Sequence, residues 1–292
     1  MTHPPYDLQK RYASPRRLLN SLLSVAAVVV TLLALVPLFS VLYMLFAEGA
    51  GHIQWSYFWG RSPAPGSPIP GFPVGFGNAL EGTFVMVGLG SLLSIPFGIL
   101  AAIYMAEFAP THPLTTAARF AAKLLTGLPS ILAGVFAFAV VVKTLGHASD
   151  YAGAVGLALL MLPTVILTAE EALRQVPSKM REAAIGMGAT QTQVALRVVV
   201  PTAWPGMLTG VLLAVARAAG ETAPLLFTAQ FSYFWLNLNL NQATASMAVF
   251  IYNNAGSQYD HLVQLAWVAS WVLVMLILVL NLTARWLGRR RV

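Results

Sequence analysis

An all-α fold that crosses the membrane six times follows from three features of the sequence: its apolar excess, the spacing of its long apolar runs and the one-sided placement of its basic residues. Of 292 residues, 58% are hydrophobic and 9% charged, with a mean hydropathy of +0.72. A soluble domain carries about 25% charged residues. Here lipid, rather than a water-excluded core, must accept most of the apolar surface. There is no Cys, which excludes disulfides, thiolate metal sites and cysteine nucleophiles.

Hydrocarbon about 30 Å thick requires about 20 apolar residues per helical crossing. Six runs meet that requirement: 18–46, 80–106, 124–142, 152–172, 204–225 and 262–287. The first follows a basic stretch, but its apolar length is roughly twice the 7–15 residues of a signal peptide's core, so a retained anchor is expected. Residues 226–261 carry Asn237, Asn239, Asn241, Asn253, Asn254 and Asp260, and are too polar for a seventh span. Pro37, Pro96, Pro129, Pro163 and Pro224 are expected to kink or interrupt their spans. Glu81 opens the second span, where a helix N-terminus stabilises it.

The charges orient these spans. Lys10, Arg11, Arg16 and Arg17 precede the first span. Arg119 and Lys123 lie between the second and third, and Arg174, Lys179, Arg181 and Arg197 between the fourth and fifth. With Arg285, Arg289, Arg290 and Arg291 at the C-terminus, 14 of the 17 Lys and Arg fall on one side. The positive-inside rule makes that side the cytoplasm of a bacterial inner membrane, with both termini inside. The net charge of +7 therefore reports topology and contact with anionic lipid. No nucleic-acid-binding motif accompanies it. The expected organisation is a cytoplasmic tail over 1–17, a transmembrane domain over 18–287 and a second cytoplasmic tail over 288–292.

Two outside segments are substantial. Residues 47–79 hold Trp55, Phe58 and Trp59 among Pro63, Pro65, Pro68, Pro70 and Pro73; residues 226–261 hold Phe231, Tyr233, Phe234 and Trp235. Such aromatics either anchor at the membrane interface or form a docking surface for an external partner.

The longest internal loop, 173–203, reads as two short amphipathic helices. Pro177 and Ser178 start the first, with Ser178 as N-cap. Met180, Ala183, Ala184, Ile185 and Met187 give it an apolar side, and Gly186 and Gly188 end it. Thr190 and Gln193 have the spacing of a capping box; the second helix then runs through Val194, Leu196 and Val198 to Val200, and Pro201 stops it. A short exposed helix with an apolar face needs a cover, either lipid headgroups or a groove on another protein.

These residues carry a resemblance. Glu182-Ala183-Ala184, then Gly188, then Val198-x-Val200-Pro201 resembles the EAA loop of binding-protein-dependent ABC importer permeases, departing from its usual Ile-x-Leu-Pro ending by two aliphatic changes. Gly127-Leu128-Pro129-Ser130, the run from Ala216 to Ala229 and Ile251-Tyr252-Asn253 are similar to the phosphate permeases of the PstA type. The resemblance implies a type I importer fold with the loop as its coupling helix. It also implies partners: a second homologous permease, a pair of cytoplasmic ATP-binding subunits docked on Glu182, Ala183, Ala184, Gly188 and Pro201, and an external phosphate-binding protein.

Arg217 and Glu221, four apart on one face of the fifth span, are charges at membrane depth, costing at least about 2.5–3.5 kcal/mol each. Either they neutralise each other, or Arg217 lies on an anion's pathway with Glu221 setting its position. The guanidinium fork suits an oxyanion, and the resemblance points to phosphate. Ala214, Ala216, Ala218, Ala219 and Gly220 around them permit close helix approach. Glu170 and Glu171 end the fourth span, bonded to loop backbone or hydrated.

No chemistry of catalysis is legible. None of Lys10, Lys123, Lys143 or Lys179 follows a Gly, so there is no phosphate-binding P-loop. Cofactors are therefore expected on a partner, which would bind the ATP. His3, His52, His112, His147 and His261 lack metal-ligand spacing. No hydrolase triad motif appears. An ion-gradient transporter acting alone would show inverted repeats or discontinuous helices, and neither is legible.

Overall fold

The computed structural model describes residues 15–64, 74–234 and 239–289. Outside them lie most of the two expected tails, residues 1–14 and 290–292. Pro65, Pro68, Pro70 and Pro73 of the first outside segment, and Trp235 and Asn237 of the second, also fall outside.

Hydrocarbon supplies no hydrogen-bond partners, so a lipid-facing backbone must satisfy itself within helices. The described chain follows that constraint. It forms α1 (Pro15–Met44), α2 (Gly77–Phe108), α3 (Pro113–Thr126), α4 (Ser130–Leu145), α5 (Asp150–Arg174), α6 (Ser178–Gly186), α7 (Gln191–Ala219), α8 (Ala223–Thr228), α9 (Met247–Ala255) and α10 (Asp260–Arg289). Among the described residues, β pairing is limited to one bridge, between Arg61 and Val74.

Five helices, within α1, α2, α5, α7 and α10, are long and apolar enough to cross a membrane; α3 and α4 together make the sixth, bent by 107° between them. The apolar run expected as one span over 124–142 is therefore split, with α4 starting at Ser130. Pro129 has no N–H and disfavours a helical Leu128, which ends α3 at Thr126. Pro37, Pro96 and Pro163, by contrast, stand inside continuous helices. Pro224 opens α8 instead of closing α7, a first-turn position where its missing N–H is not needed.

The fifth span also departs from its expected limits of 204–225. It ends at Ala219, with Glu221 in the break beyond Gly220. At its other end Pro201 does not stop the helix: Gln191–Ala219 is continuous. A π-helical turn over Ala195–Val199 immediately precedes the proline. Such a turn accommodates the ring where the ordinary hydrogen-bond ladder would clash with it.

α5 is the central post, packed by α2, α3, α4, α7 and α8. Small residues set its contacts with α7. A Cβ on Gly206 would come 3.0 Å from that of Ala172, and one on Gly210 would overlap the Thr168 side chain. Each four-residue step along α7 thus matches a four-residue step back along α5. Continuing that antiparallel register brings Arg217 level with Met161, near the middle of α5. The apolar cluster at this level joins Leu157, Met161 and Val165 to Val211, Ala214 and Ala218.

Residues 226–261 are not a surface loop throughout. The first turn of α9 is buried against α2 and α10, with Met247 and Phe250 fully covered. Thr83 accepts the Met247 N–H at 2.8 Å, and Ser246 caps the helix through the Val249 N–H. Of the outside aromatics, Phe58 packs on Phe76 and Phe231 on Phe250, so these two are half-buried against the core; Trp55, Trp59 and Phe234 remain exposed. Asn78 joins the two segments, accepting from Ser62 through Oδ1 and donating to the Ser232 carbonyl. α1 stands apart: its most apolar window has no buried residue. The turn after it touches α10, where Gly49 meets Trp267 and Trp271.

Gly210→Val should force α5 and α7 apart and cost about 1–3 kcal/mol, read as a lower unfolding temperature of the purified protein in detergent. Gly186→Ala, where nothing lies within 4 Å, should leave that temperature within the range of ordinary surface changes.

Candidate functional site

The loop between α5 and α7 folds as its sequence dictates. α6 runs from Ser178 to Gly186, with Pro177 rather than Ser178 as the capping residue and no side-chain cap bond. Gly188 sits at φ +86°, a left-handed conformation that is costly for residues with a Cβ. The Gly188 N–H donates to the Ile185 carbonyl and the Ala189 N–H to that of Ala184, the paired closure that ends a helix on a left-handed glycine. Thr190 and Gln193 form both bonds of the capping box at the start of α7, at 2.9 and 3.3 Å.

The apolar residues of α6 do not share one side. Ala184 turns inward and is 3% exposed. It joins a cluster with Ile103, Leu173, Val176 and Val194, built from α2, α5 and α7 and their flanking turns. Glu182 and Ala183 are exposed, as are Met180, Ile185 and Met187, the last at 84%. A helix anchored on one side and apolar on the other leaves an uncovered hydrophobic surface next to an acidic side chain. Pro201 lies beyond this face, inside the continuous α7.

Arg217 and Glu221 do meet, through one contact of 3.3 Å between Nε and Oε1. The pair is not on one helix face, because Glu221 follows the end of α7. The Gly220 and Glu221 N–H groups donate to Arg217 and Ala218 carbonyls, which frays the helix into its break. The Arg217 side chain is 50% exposed and that of Glu221 15%. One bond occupies one edge of a guanidinium that has five donors, leaving the rest of the fork toward the open face. On that face Thr202, Gly206, Thr209, Leu213, Arg217 and Gly220 form an exposed stripe along α7. Apart from Leu213 the stripe is small or polar, and such a stripe around a charge at mid-depth is the pattern of a helix facing a polar cavity or a partner. The apolar cleft of about 290 Å³ between α3, α4 and α5, lined by Leu125, Leu128, Leu132 and Leu160, offers no charged side chain to an ion.

Three ion pairs stand where sequence reading placed none. Glu170, expected to bond loop backbone or water, is 3% exposed and accepts from Arg119 of α3 through two nitrogens, at 2.6 to 3.2 Å. Arg174, one turn on, donates to the same Oε1 at 3.0 Å. Glu107, at the end of α2, pairs with Arg181 of α6 at 2.7 Å. The Glu170–Arg174 spacing was visible, with Glu first as the favoured order; the other two partners are 51 and 74 residues apart. Among the described residues, no group of His, Asp and Glu has the makings of a metal site. The helix break at 127–129 falls where Pro129 is expected to interrupt its span, whereas the break at 220–222 comes before Pro224.

Comparison with known proteins agrees with this architecture. Residues 94–292 match the family of binding-protein-dependent transport system inner membrane components. The chain is 39% identical over 245 residues to the phosphate transport system permease protein PstA of Haemophilus influenzae, covering 84% of this chain and 85% of the relative. It is 35% identical over 270 residues to that of Pasteurella multocida, covering 92% and 94%, and 34% identical over 281 residues to PstA 1 of Mycobacterium tuberculosis, covering 94% and 91%. The fold is also that of a bacterial alginate ABC transporter solved with its alginate-loaded periplasmic protein, with a TM-score of 0.65 at 15% identity over 94% of this chain and 96% of the other. The MetNI methionine ABC transporter gives 0.58 at 19% identity, over 74% and 93%. With its crossing helices, its α6 loop and these relatives, the chain belongs to the family of binding-protein-dependent transport permeases, multi-pass proteins of the inner membrane.

Proposed function

We propose that this chain is the transmembrane permease subunit of an ATP-driven importer of inorganic phosphate, forming half of the translocation pathway. The observation that carries the proposal is Arg217, half-exposed at mid-depth on the stripe of α7 and held by a single bond to Glu221. A guanidinium in that position offers a tetrahedral oxyanion several charge-assisted donors in a region where water is scarce. Glu221 sets the orientation of the fork. Its negative charge also weakens the attraction, so that a bound anion can leave. The phosphate permeases among the relatives support phosphate over other oxyanions.

The second half of the pathway belongs to a homologous permease packed on the same stripe. ATP is bound and hydrolysed by a pair of cytoplasmic subunits, and this chain holds no nucleotide. Their groove covers Met180, Ala183, Ile185 and Met187, with Glu182 at its edge; Gly188 shapes the end of α6, and Pro201 leads into the span. An external binding protein delivers phosphate to the opposite end, and the basic residues put both termini in the cytoplasm. The two helix breaks would also suit a gradient-driven carrier, but the exposed apolar face of α6 favours a docked protein.

Replacing Ile185 and Met187 by Asp should abolish co-purification of the ATP-hydrolysing subunits, since charges would then enter an apolar contact; retention of those subunits would refute the docking face. Arg217→Gln should abolish phosphate uptake in vesicles without lowering the amount of assembled complex, because a neutral amide loses the charge that compensates the oxyanion. Normal uptake by that variant would remove Arg217 from the pathway. Competition among phosphate, arsenate, sulfate and molybdate for uptake identifies the cargo.

A further inference from the structure

Where α6 meets the spans, one guanidinium is shared among three acceptors. Arg181 donates from Nε to Glu107 Oε2 at 3.2 Å and from Nη2 to Oε1 at 2.7 Å. Its Nη1 donates to the Val176 carbonyl at 2.5 Å, and Nη2 also donates to that of Leu173 at 2.9 Å. These carbonyls come from the last turn of α5 and the bend after it, where the helix ladder has run out of donors. The Glu107 side chain is 7% exposed and that of Arg181 24%. The backbone carbonyl of Glu107 also accepts from Nε2 of Gln191, the first residue of α7, at 2.6 Å. The ends of α2 and α5, the body of α6 and the start of α7 therefore converge on one residue pair.

The chemistry of the pair suits a mechanical joint. The cluster beneath it, with Ile103, Leu173, Val176, Ala184 and Val194, excludes water but is non-directional, so it resists separation better than sliding. A forked, charge-assisted pair fixes both distance and angle. No other side chain can serve a carboxylate and two carbonyls from one plane, Lys included. Removing either partner would leave a buried charge without compensation, so the joint is not readily pulled apart.

We propose that Glu107 and Arg181 are positioning residues for transport: together they carry the displacement of α6 into α2 and α5, so that ATP hydrolysis on the partner becomes movement of the pathway. The proposal rests on the docking role of α6 given above. Glu182, the neighbouring residue, faces outward to the partner, while Arg181 faces inward to the spans. One turn of helix thus holds both sides of the connection.

The test uses the whole transporter in proteoliposomes, with phosphate-loaded binding protein outside and ATP inside. Phosphate taken up and ATP hydrolysed are measured on the same vesicles, each per assembled complex. Glu107→Gln keeps the shape of the side chain but removes its charge and one of the two oxygens that accept from Arg181. A charge-assisted bond is worth enough to lower the phosphate moved per ATP by about tenfold, while ATP hydrolysis continues and loses its dependence on the loaded binding protein. Arg181→Lys, which keeps an ion pair with Glu107 but cannot also reach both carbonyls, should lower the same ratio to a smaller extent. An unchanged ratio overturns the proposal. So does a fall of both rates in step, which would make the pair a staple of the fold. ATP-driven phosphate uptake by the unmodified transporter is the separate control: its absence removes the function proposed above, and this inference with it.

Discussion

Hydrocarbon offers a polypeptide nothing to hydrogen-bond with, and the arrangement of this chain follows from that. Wherever the backbone leaves a helix, something specific must meet the freed groups. At the start of α9 the donors are taken by Thr83 and Ser246. At the end of α5 the carbonyls are taken by Arg181. At 220–222 the N–H groups of Gly220 and Glu221 reach back to carbonyls of the preceding turn. The breaks are therefore few, and the sequence around them supplies hydroxyls, a guanidinium or short-range bonds at the depth where they are required.

The same constraint accounts for where charge is found. Two nearly covered carboxylates of the packed region meet arginine: Glu170 between Arg119 and Arg174, and Glu107 against Arg181. These pairs lie at the α6 end of the bundle and tie neighbouring elements together. Arg217 differs in that it is half-exposed and bonded once. The contrast separates charges that hold the fold from one whose remaining donors are available, and it turns on exposure and bond number rather than on residue type.

Much of this was legible in order along the chain. The apolar runs located the spans, the Thr190–Gln193 spacing announced a capping box that forms as expected, and Gly188 marked a helix end that adopts the left-handed conformation. The errors have a common cause, in that each local rule was applied without its neighbours. Pro201 reads as a stop, yet the π-helical turn before it lets α7 continue. Asparagines made 226–261 look like surface, while Met247, Val249 and Phe250 within it are core. Glu221 has helical spacing from Arg217 but lies past the end of the helix. The Arg119–Glu170 and Arg181–Glu107 pairs depend on which spans are adjacent, and periodicity within one helix does not carry that information.

The continuity of α7 through Pro201 has a geometrical consequence. From the loop to Arg217 the chain is one rod, and its closest contact with the central post is at Gly206 and Gly210. Taken as a pivot, that contact leaves arms of about 26 Å toward Gln191 and about 14 Å toward Arg217 at 1.5 Å per residue. A rotation there is geared down by about two and reversed in sense: a shift of about 3 Å at the loop becomes a shift of about 1.5 Å at the guanidinium. That is half the length of a hydrogen bond, the scale on which an anion is gripped or released.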